Sequence, residues 1–343
     1  MTGSEPERRV RPGIKDVARR AGVSATTVSH TFSGKGTVAP ATRERVRSAA
    51  SELGYRPDVL ARSLRSSRLG VIALVLRTLE GGSSLPEGID YVLEFAGAAA
   101  VNAMRHGYGL MLVADPTSDG APSTALACDG FIVTEPLRAD PLVTVLQQDG
   151  LPYLTVGRVP DIDEAPALDI FTRSITRRVL DFLRERGARR IALITSETPN
   201  AWYLDTETTY AAWAAEHGAP PLISRQPERR EAAGGAAAVD ELLAASPDLD
   251  AVYCLTGPHA AGAQARLQAL GRRVPDDVQL LCGSDSSHLR ASEPRISAVD
   301  LQPQLLAELA VTRLVNMLDG TAHPEPADLA TGRIVARGST RDR

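Results

Sequence analysis

Between Ser24 and Phe32 the chain reads SATTVSHTF. A helix through these residues sets Thr26, Thr27 and His30 on one side and Val28 and Phe32 on the other. A threonine offers a hydroxyl and a methyl that suit several bases and the thymine methyl, and a histidine nitrogen donates to a purine N7 or a guanine O6. These three side chains are therefore the expected base readers of a nucleic-acid duplex. The plain alternative is the solvated side of a small helical hairpin. A second group lies further on, in DVLARSLRSS, where Leu60 and Leu64 stand four apart among Arg62, Arg65 and Arg68. This combination suits an apolar wedge flanked by phosphate-binding charge, or a charged linker. Ser24, Lys35, Arg62 and Arg65 are the expected contacts to the phosphate backbone.

The elements that must hold these groups follow from periodicity. Ile14, Val17, Ala18 and Ala21 form one apolar stripe, Gly22 suits the positive φ of a helix end, and Ser24 is placed as the N-cap of the next helix. Val46, Ala49, Ala50 and Leu53 give a third helix its inner face. Two helices joined by a three- or four-residue turn and backed by a third describe a helix-turn-helix head. The hinge stretch is short enough that a helix there needs DNA and a partner to form. Charge supports the division. Residues 1–70 hold 14 Lys/Arg against 6 Asp/Glu, while the whole chain of 343 residues carries a net charge of -4. A basic head on an acidic body confines polyanion binding to the head.

Beyond Leu69, apolar runs alternate with helical stretches: VIALVL, LMLVAD, GFIVT, PYLTVG, RIALIT, AVYCLT and VQLLCG. Such runs predict parallel strands covered by helices on both faces, with ligands gathered at the strands' C-terminal ends. Cys128, Cys254 and Cys282, odd in number and far apart in apolar strands, read as buried thiols rather than a disulfide framework or metal site. No metal or cofactor is expected.

IKDVARRAGVS, TVS, TRERVRSAASELGYRP and ARSLR, in this order and spacing, resemble the LacI/GalR (lactose/galactose repressor) family, and the likeness runs from Ile14 to the closing ARGST. SATTVSH is similar to the reading helix of a purine-responsive member. The resemblance implies a small all-α head followed by a two-lobed α/β body, periplasmic-binding-protein-like, with parallel sheets. It places a disordered tail at 1–12, the DNA-binding domain at 13–56, a hinge helix at 57–68 and an effector-binding and dimerisation domain at 69–343. It makes Leu64 the leucine inserted into the minor groove. It further implies effector contacts at Tyr91 and Tyr253, as aromatic platforms, and at Asp285, as an acceptor. Asn200 and Trp202 stand where polar contacts to the ligand are expected.

The chain also departs from the family. Thr206 stands in place of an arginine anchor, Gly257-Pro258-His259 in place of Asn-Asp, and the segment 115–130 is too short for the usual second helix of the first lobe. Loss of the arginine disfavours a carboxylate or phosphate ligand and leaves a sugar or a planar heterocycle open.

The expected protein is a transcriptional regulator that binds a palindromic operator as a homodimer and responds to a small molecule. The alternatives are a regulator whose cleft senses nothing and a sugar-binding protein without DNA function. Enzyme motifs such as GxSxG, a Walker loop or metal-ligand spacing are absent. Neither a secretory leader nor an apolar run of bilayer length is present, so the expected location is cytoplasmic, without membrane contact.

Overall fold

The computed structural model describes residues 12–33, 36–55, 68–77, 90–121, 126–321 and 332–342. The chain divides into two compact units, Met1–Leu69 and Gly70–Arg343. Of the expected DNA contacts, Lys35, Arg62, Leu64 and Arg65 lie outside the described residues, as does the hinge through residue 67.

The first unit holds three helices, α1 (Ile14–Ala21), α2 (Ala25–Ser33) and α3 (Pro40–Leu53). Asp16 accepts from the Gly13 amide at 2.9 Å, which ties down the start of α1, and Gly22 closes that helix with φ 65°. Val17, Val28 and Val46, one from each helix, are fully buried and meet at the centre, with Ala18, Ala49 and Ala50 beside them. Phe32 and Tyr55 pack against this cluster with ring centroids 5.9 Å apart. The small side chains at the crossing let the three helices approach closely enough to share so small a core.

The second unit contains two sheets. The first is built from β1 (Val71–Leu76), β2 (Gly109–Ala114), β3 (Gly130–Thr134), β4 (Tyr153–Val156) and β5 (Ala167–Leu168), in the order β2-β1-β3-β4-β5, with every pairing parallel. Alternation along the strands sends Ile72, Leu74, Ile132 and Leu154 toward α4 (Asp90–Arg105) and α11 (Pro303–Asp319), and Ala73, Val75, Phe131 and Val133 toward α5 (Pro141–Gln148). The second sheet comprises β6 (Ile191–Thr195), β7 (Ile223–Arg225), β8 (Ala251–Cys254), β9 (Gln279–Cys282), β10 (Ser297–Asp300) and β11 (Arg333–Val335), in the order β11-β10-β9-β8-β6-β7. Its pairings are parallel except for the antiparallel edge pair β10/β11. One face packs on α6 (Thr172–Glu185) and α7 (Ala201–Glu216), the other on α8 (Glu231–Ala245) and α9 (Gly257–Ala269); a short α10 (Ser287–Ala291) follows β9.

The chain crosses between the lobes more than once. After β5 it enters the second lobe at α6, returns at α11 to place Leu306, Ala310 and Leu314 in the first lobe's core, and ends at β11 in the second. All three thiols are free and buried. Cys254 and Cys282 are register partners on neighbouring strands. Cys128 lies two residues before β3 rather than within a strand, because the turn through Asp129 feeds the strand and Asp129 is held by the Gly70 amide at 2.6 Å.

Candidate DNA-reading face and effector cleft

On α2, Thr26 and His30 are exposed and Thr27 is half-buried, while Val28 on the opposite side is completely enclosed. Ser24 caps the helix: its Oγ accepts from the Thr27 amide at 3.1 Å and lies 2.9 Å from the Thr27 hydroxyl. Ser24 and Thr27 thus hold each other at the N-terminal end of α2, and Thr26 and His30 are the freer pair. The same helix thus carries an exposed polar side and, through Val28, a side that joins the core shared with α1 and α3.

In the body, both sheets reverse their strand order beside their first strand, and their C-terminal ends face each other, the arrangement that places a ligand crevice in doubly wound folds. Two loops join across this crevice. Leu137 and Asn200 form an antiparallel bridge, and the Arg138 amide donates to the Pro199 carbonyl at 2.8 Å. At another point the Asp90 carboxylate accepts from both the amide and the hydroxyl of Ser287, at 2.9 and 3.0 Å.

A third link is ionic. Arg158, just past β4, makes a two-pronged pair with Asp205 of α7 at 2.6 and 2.7 Å, and Arg173 of α6 adds a contact at 3.1 Å. Burial alone would raise the Asp205 carboxyl, but the two guanidinium groups outweigh it and hold it below the usual aspartate range. Arg158, Asp163, Asp169, Phe171, Arg173 and Asp205 line a cavity of about 400 Å³.

Tyr91, near the start of α4, is half-buried and stacks on Phe95 with centroids 6.2 Å apart. Its phenol is pushed up by enclosure and then by the charge of Glu135. Glu135 follows β3 directly. Although open to the cleft, its carboxyl is raised to about 7 by the surrounding protein and then by the charge of Glu228, with Arg77 acting in the opposite sense. Glu228, after β7, accepts from the Tyr203 hydroxyl at 2.9 Å and the Thr198 hydroxyl at 3.3 Å. Arg77, at the end of β1, reaches Asp140 at 2.5 Å and Asp115 at 3.3 Å. Glu135 and Glu228 follow strands of different sheets, and Glu228 is held by the buried Tyr203.

Of the other expected effector residues, Asn200, Trp202 and Tyr253 are buried and Asp285 is half-buried. Asn200 caps α7 by accepting from the Tyr203 amide at 3.0 Å. Trp202 and Tyr253 belong to the second lobe's core; Tyr253 is wholly enclosed, so it lies beneath the cleft wall rather than on it. Asp285 is clamped by Arg337 at 2.6 and 2.9 Å and by Arg290 at 3.1 Å, which overcome its burial and keep its carboxyl below the usual range.

The departures from the family pattern also have local partners. Thr206 is buried against Thr176, hydroxyl to hydroxyl at 3.2 Å. Gly257 leaves room for Ser286, whose Oγ would lie 2.5 Å from a Cβ at position 257. Sequence reasoning missed Arg77, Glu135, Tyr203 and Glu228. The first two directly follow apolar strand runs, and that position alone could have singled them out. No cluster of metal-ligating side chains occurs among the described residues, and none of their helices is long and apolar enough to cross a membrane.

Comparison with known proteins agrees with this geometry. The model of bacterial regulatory proteins of the lacI family matches residues 13–58, and that of the periplasmic binding protein-like domain matches residues 180–340. The HTH-type transcriptional regulator CelR of Thermobifida fusca is 31% identical, with 96% of this chain and 98% of that protein covered. RafR of Escherichia coli is 27% identical over 95% of this chain and 98% of its own length. Among solved structures, a CelR–cellobiose complex superposes with TM-score 0.68 at 28% identity, over 96% of this chain and 100% of that one. A lac repressor dimer bound to operator and the anti-inducer ONPF superposes with TM-score 0.81 at 21% identity, over 97% and 100%, and shares the fold. With its helix-turn-helix head, its two-sheet body and relatives aligned along nearly the whole of both chains, this chain belongs to the lacI family of DNA-binding transcriptional regulators.

Proposed function

We propose that the chain binds an inverted-repeat operator as a cytoplasmic homodimer, with Thr26, Thr27 and His30 reading base edges, and that a neutral sugar entering the cleft alters this binding. The cleft senses its ligand and does not transform it. The observation that carries the ligand class is the set of groups after the strand ends: the exposed Glu135 directly after β3, the Glu228 carboxylate that accepts from Tyr203 and Thr198 after β7, and the half-buried ring of Tyr91. Carboxylates and phenols accept and share hydroxyl protons, and an aromatic face suits a sugar ring. Arg77 and Arg158 are already paired with carboxylates, which leaves them poor anchors for an anion. A relative solved with cellobiose supports the same class.

The dimer is assigned to one face of the first lobe. Leu93, Val101 and Met104, exposed and spaced three or four residues or twice that apart, form a stripe along α4. Leu112 of the edge strand β2 is also exposed and shares its side of the sheet with Leu110, which packs toward α4. A second copy presenting the same stripe would cover it, as a two-fold interface requires. With two heads so joined, half-sites about one helical turn apart follow.

Thermal denaturation of the full chain against mono- and disaccharides, nucleobases and sugar phosphates tests the ligand class. Stabilisation by a neutral sugar is expected. Stabilisation by a nucleobase or an anionic ligand alone would overturn the class, and no stabilisation by any of them would favour a cleft that senses nothing.

A further inference from the structure

The imidazole of His30 is seated by a glycine. Gly36, in the turn after α2, has φ +80°, and a Cβ built on it would lie 2.8 Å from His30 Nδ1, 3.3 Å from Cε1 and 3.4 Å from Cγ. The Nδ1 edge of the ring therefore lies against the bare backbone of residue 36. This leaves Nε2 as the nitrogen on the far side of the ring, on the exposed face of α2. A histidine on an exposed helix face ordinarily samples several rotamers, and base readout requires one of them. The closely approaching Gly36 backbone blocks part of that range and favours the orientation with Nε2 outward.

We infer that Gly36 is a positioning residue for operator recognition: by lacking a side chain it seats the His30 ring with Nε2 presented to a base edge, and so it helps to set the base preferred at one operator position. The inference rests on the reading of His30 as a base reader. Any side chain at 36 would overlap the present ring position. The atoms in its way are the far end of a flexible side chain, so the ring can swing aside while the helices keep their packing. The effect accordingly falls on recognition. Alanine would also suffer from the positive φ, whereas asparagine tolerates that region and still carries a Cβ, which makes Gly36→Asn the more informative change.

The experiment selects duplexes from a randomised pool with the full-length wild-type chain, then compares base preference and affinity for Gly36→Asn, His30→Ala and the double variant. His30→Ala is expected to flatten preference at one pair in each half-site and to lower affinity about tenfold. Gly36→Asn is expected to weaken or change preference at that same pair, and to add nothing once His30 is alanine. Equal loss of affinity from Gly36→Asn in both backgrounds, or an unchanged preference at the His30 pair, would show that Gly36 does not act through His30. If His30→Ala leaves every preference intact, the base-reader assignment itself fails and the positioning role falls with it. Circular dichroism of each variant identifies any loss of the helical head, and Gly36→Ala provides a second substitution with the same Cβ.

Discussion

The head and the body make their functional surfaces in different ways. In the head, Ser24, Thr26, Thr27 and His30 come from one helix and its cap, steadied by a core drawn from three helices within about forty residues of chain. In the body, partners meet across long separations: Asp205 with Arg158, 47 residues apart; Asp285 with Arg337, 52 apart; Asp90 with Ser287, 197 apart. The exposed Thr26 and His30 can thus change with little effect on the helical scaffold. A charge such as Asp205 or Asp285 cannot, because its distant partner would be left unpaired at a cost greater than the contact contributes.

The largest effect should come from separating the two heads. Met104→Asp places a charge in the α4 stripe and should weaken dimerisation, and with it operator affinity, by roughly a hundredfold. Sedimentation velocity and gel shift on an inverted repeat would measure both. A variant that stays dimeric would remove this face from the interface and leave the head's own chemistry untouched.

A smaller change is expected for Asp205→Asn, which deprives Arg158 and Arg173 of their shared partner. Allowing for the solvent reaching Arg158, the loss should be about 1 kcal/mol, or about 2–4 °C in Tm. Because the Asp205 carboxyl is held low, its contribution is present above the ordinary aspartate value and disappears as pH falls through the lowered one. The difference between wild type and variant in calorimetry should therefore shrink below pH about 4.

A further prediction is a pH slope. Glu135 is raised to about 7, with Tyr91, Glu228 and Arg77 in electrostatic reach. The unfolded chain releases this proton near pH 4.3, roughly the ordinary glutamate value, so stability is lost as pH rises from there to 7 and then levels off. Glu135→Gln should remove that component. Identical Tm slopes for wild type and variant between pH 5 and 8 would place Glu135 outside the coupled group.

The same contrast explains how much was legible from sequence. The stripe of Ile14, Val17, Ala18 and Ala21 predicts α1 with its observed bounds, and the capping role of Ser24 follows from residue type and position alone. The strand runs of the body also appear where expected, since alternating apolar segments report burial on both faces. What periodicity does not carry is which polar group faces which. Asp285 ends a strand as a ligand acceptor would, but Arg337, far along the chain, occupies it. Asn200 stands where a polar contact is expected and serves as a helix cap. Glu135 and Glu228 lie 93 positions apart and follow strands of different sheets, so no local pattern links them.

The position of α11 bears on how the protein is made. Leu306, Ala310 and Leu314 complete the core beneath β1, β3 and β4, strands synthesised more than a hundred residues earlier. While the chain emerges from the ribosome, the three-helix head can fold as soon as it is free. The first lobe, by contrast, must wait with Ile72, Leu74 and Phe95 incompletely covered until α11 has been translated. The body is therefore the late-folding and aggregation-exposed part of the nascent chain, and loss of the segment that carries α11 and β11 would leave both lobes incomplete rather than trimming one.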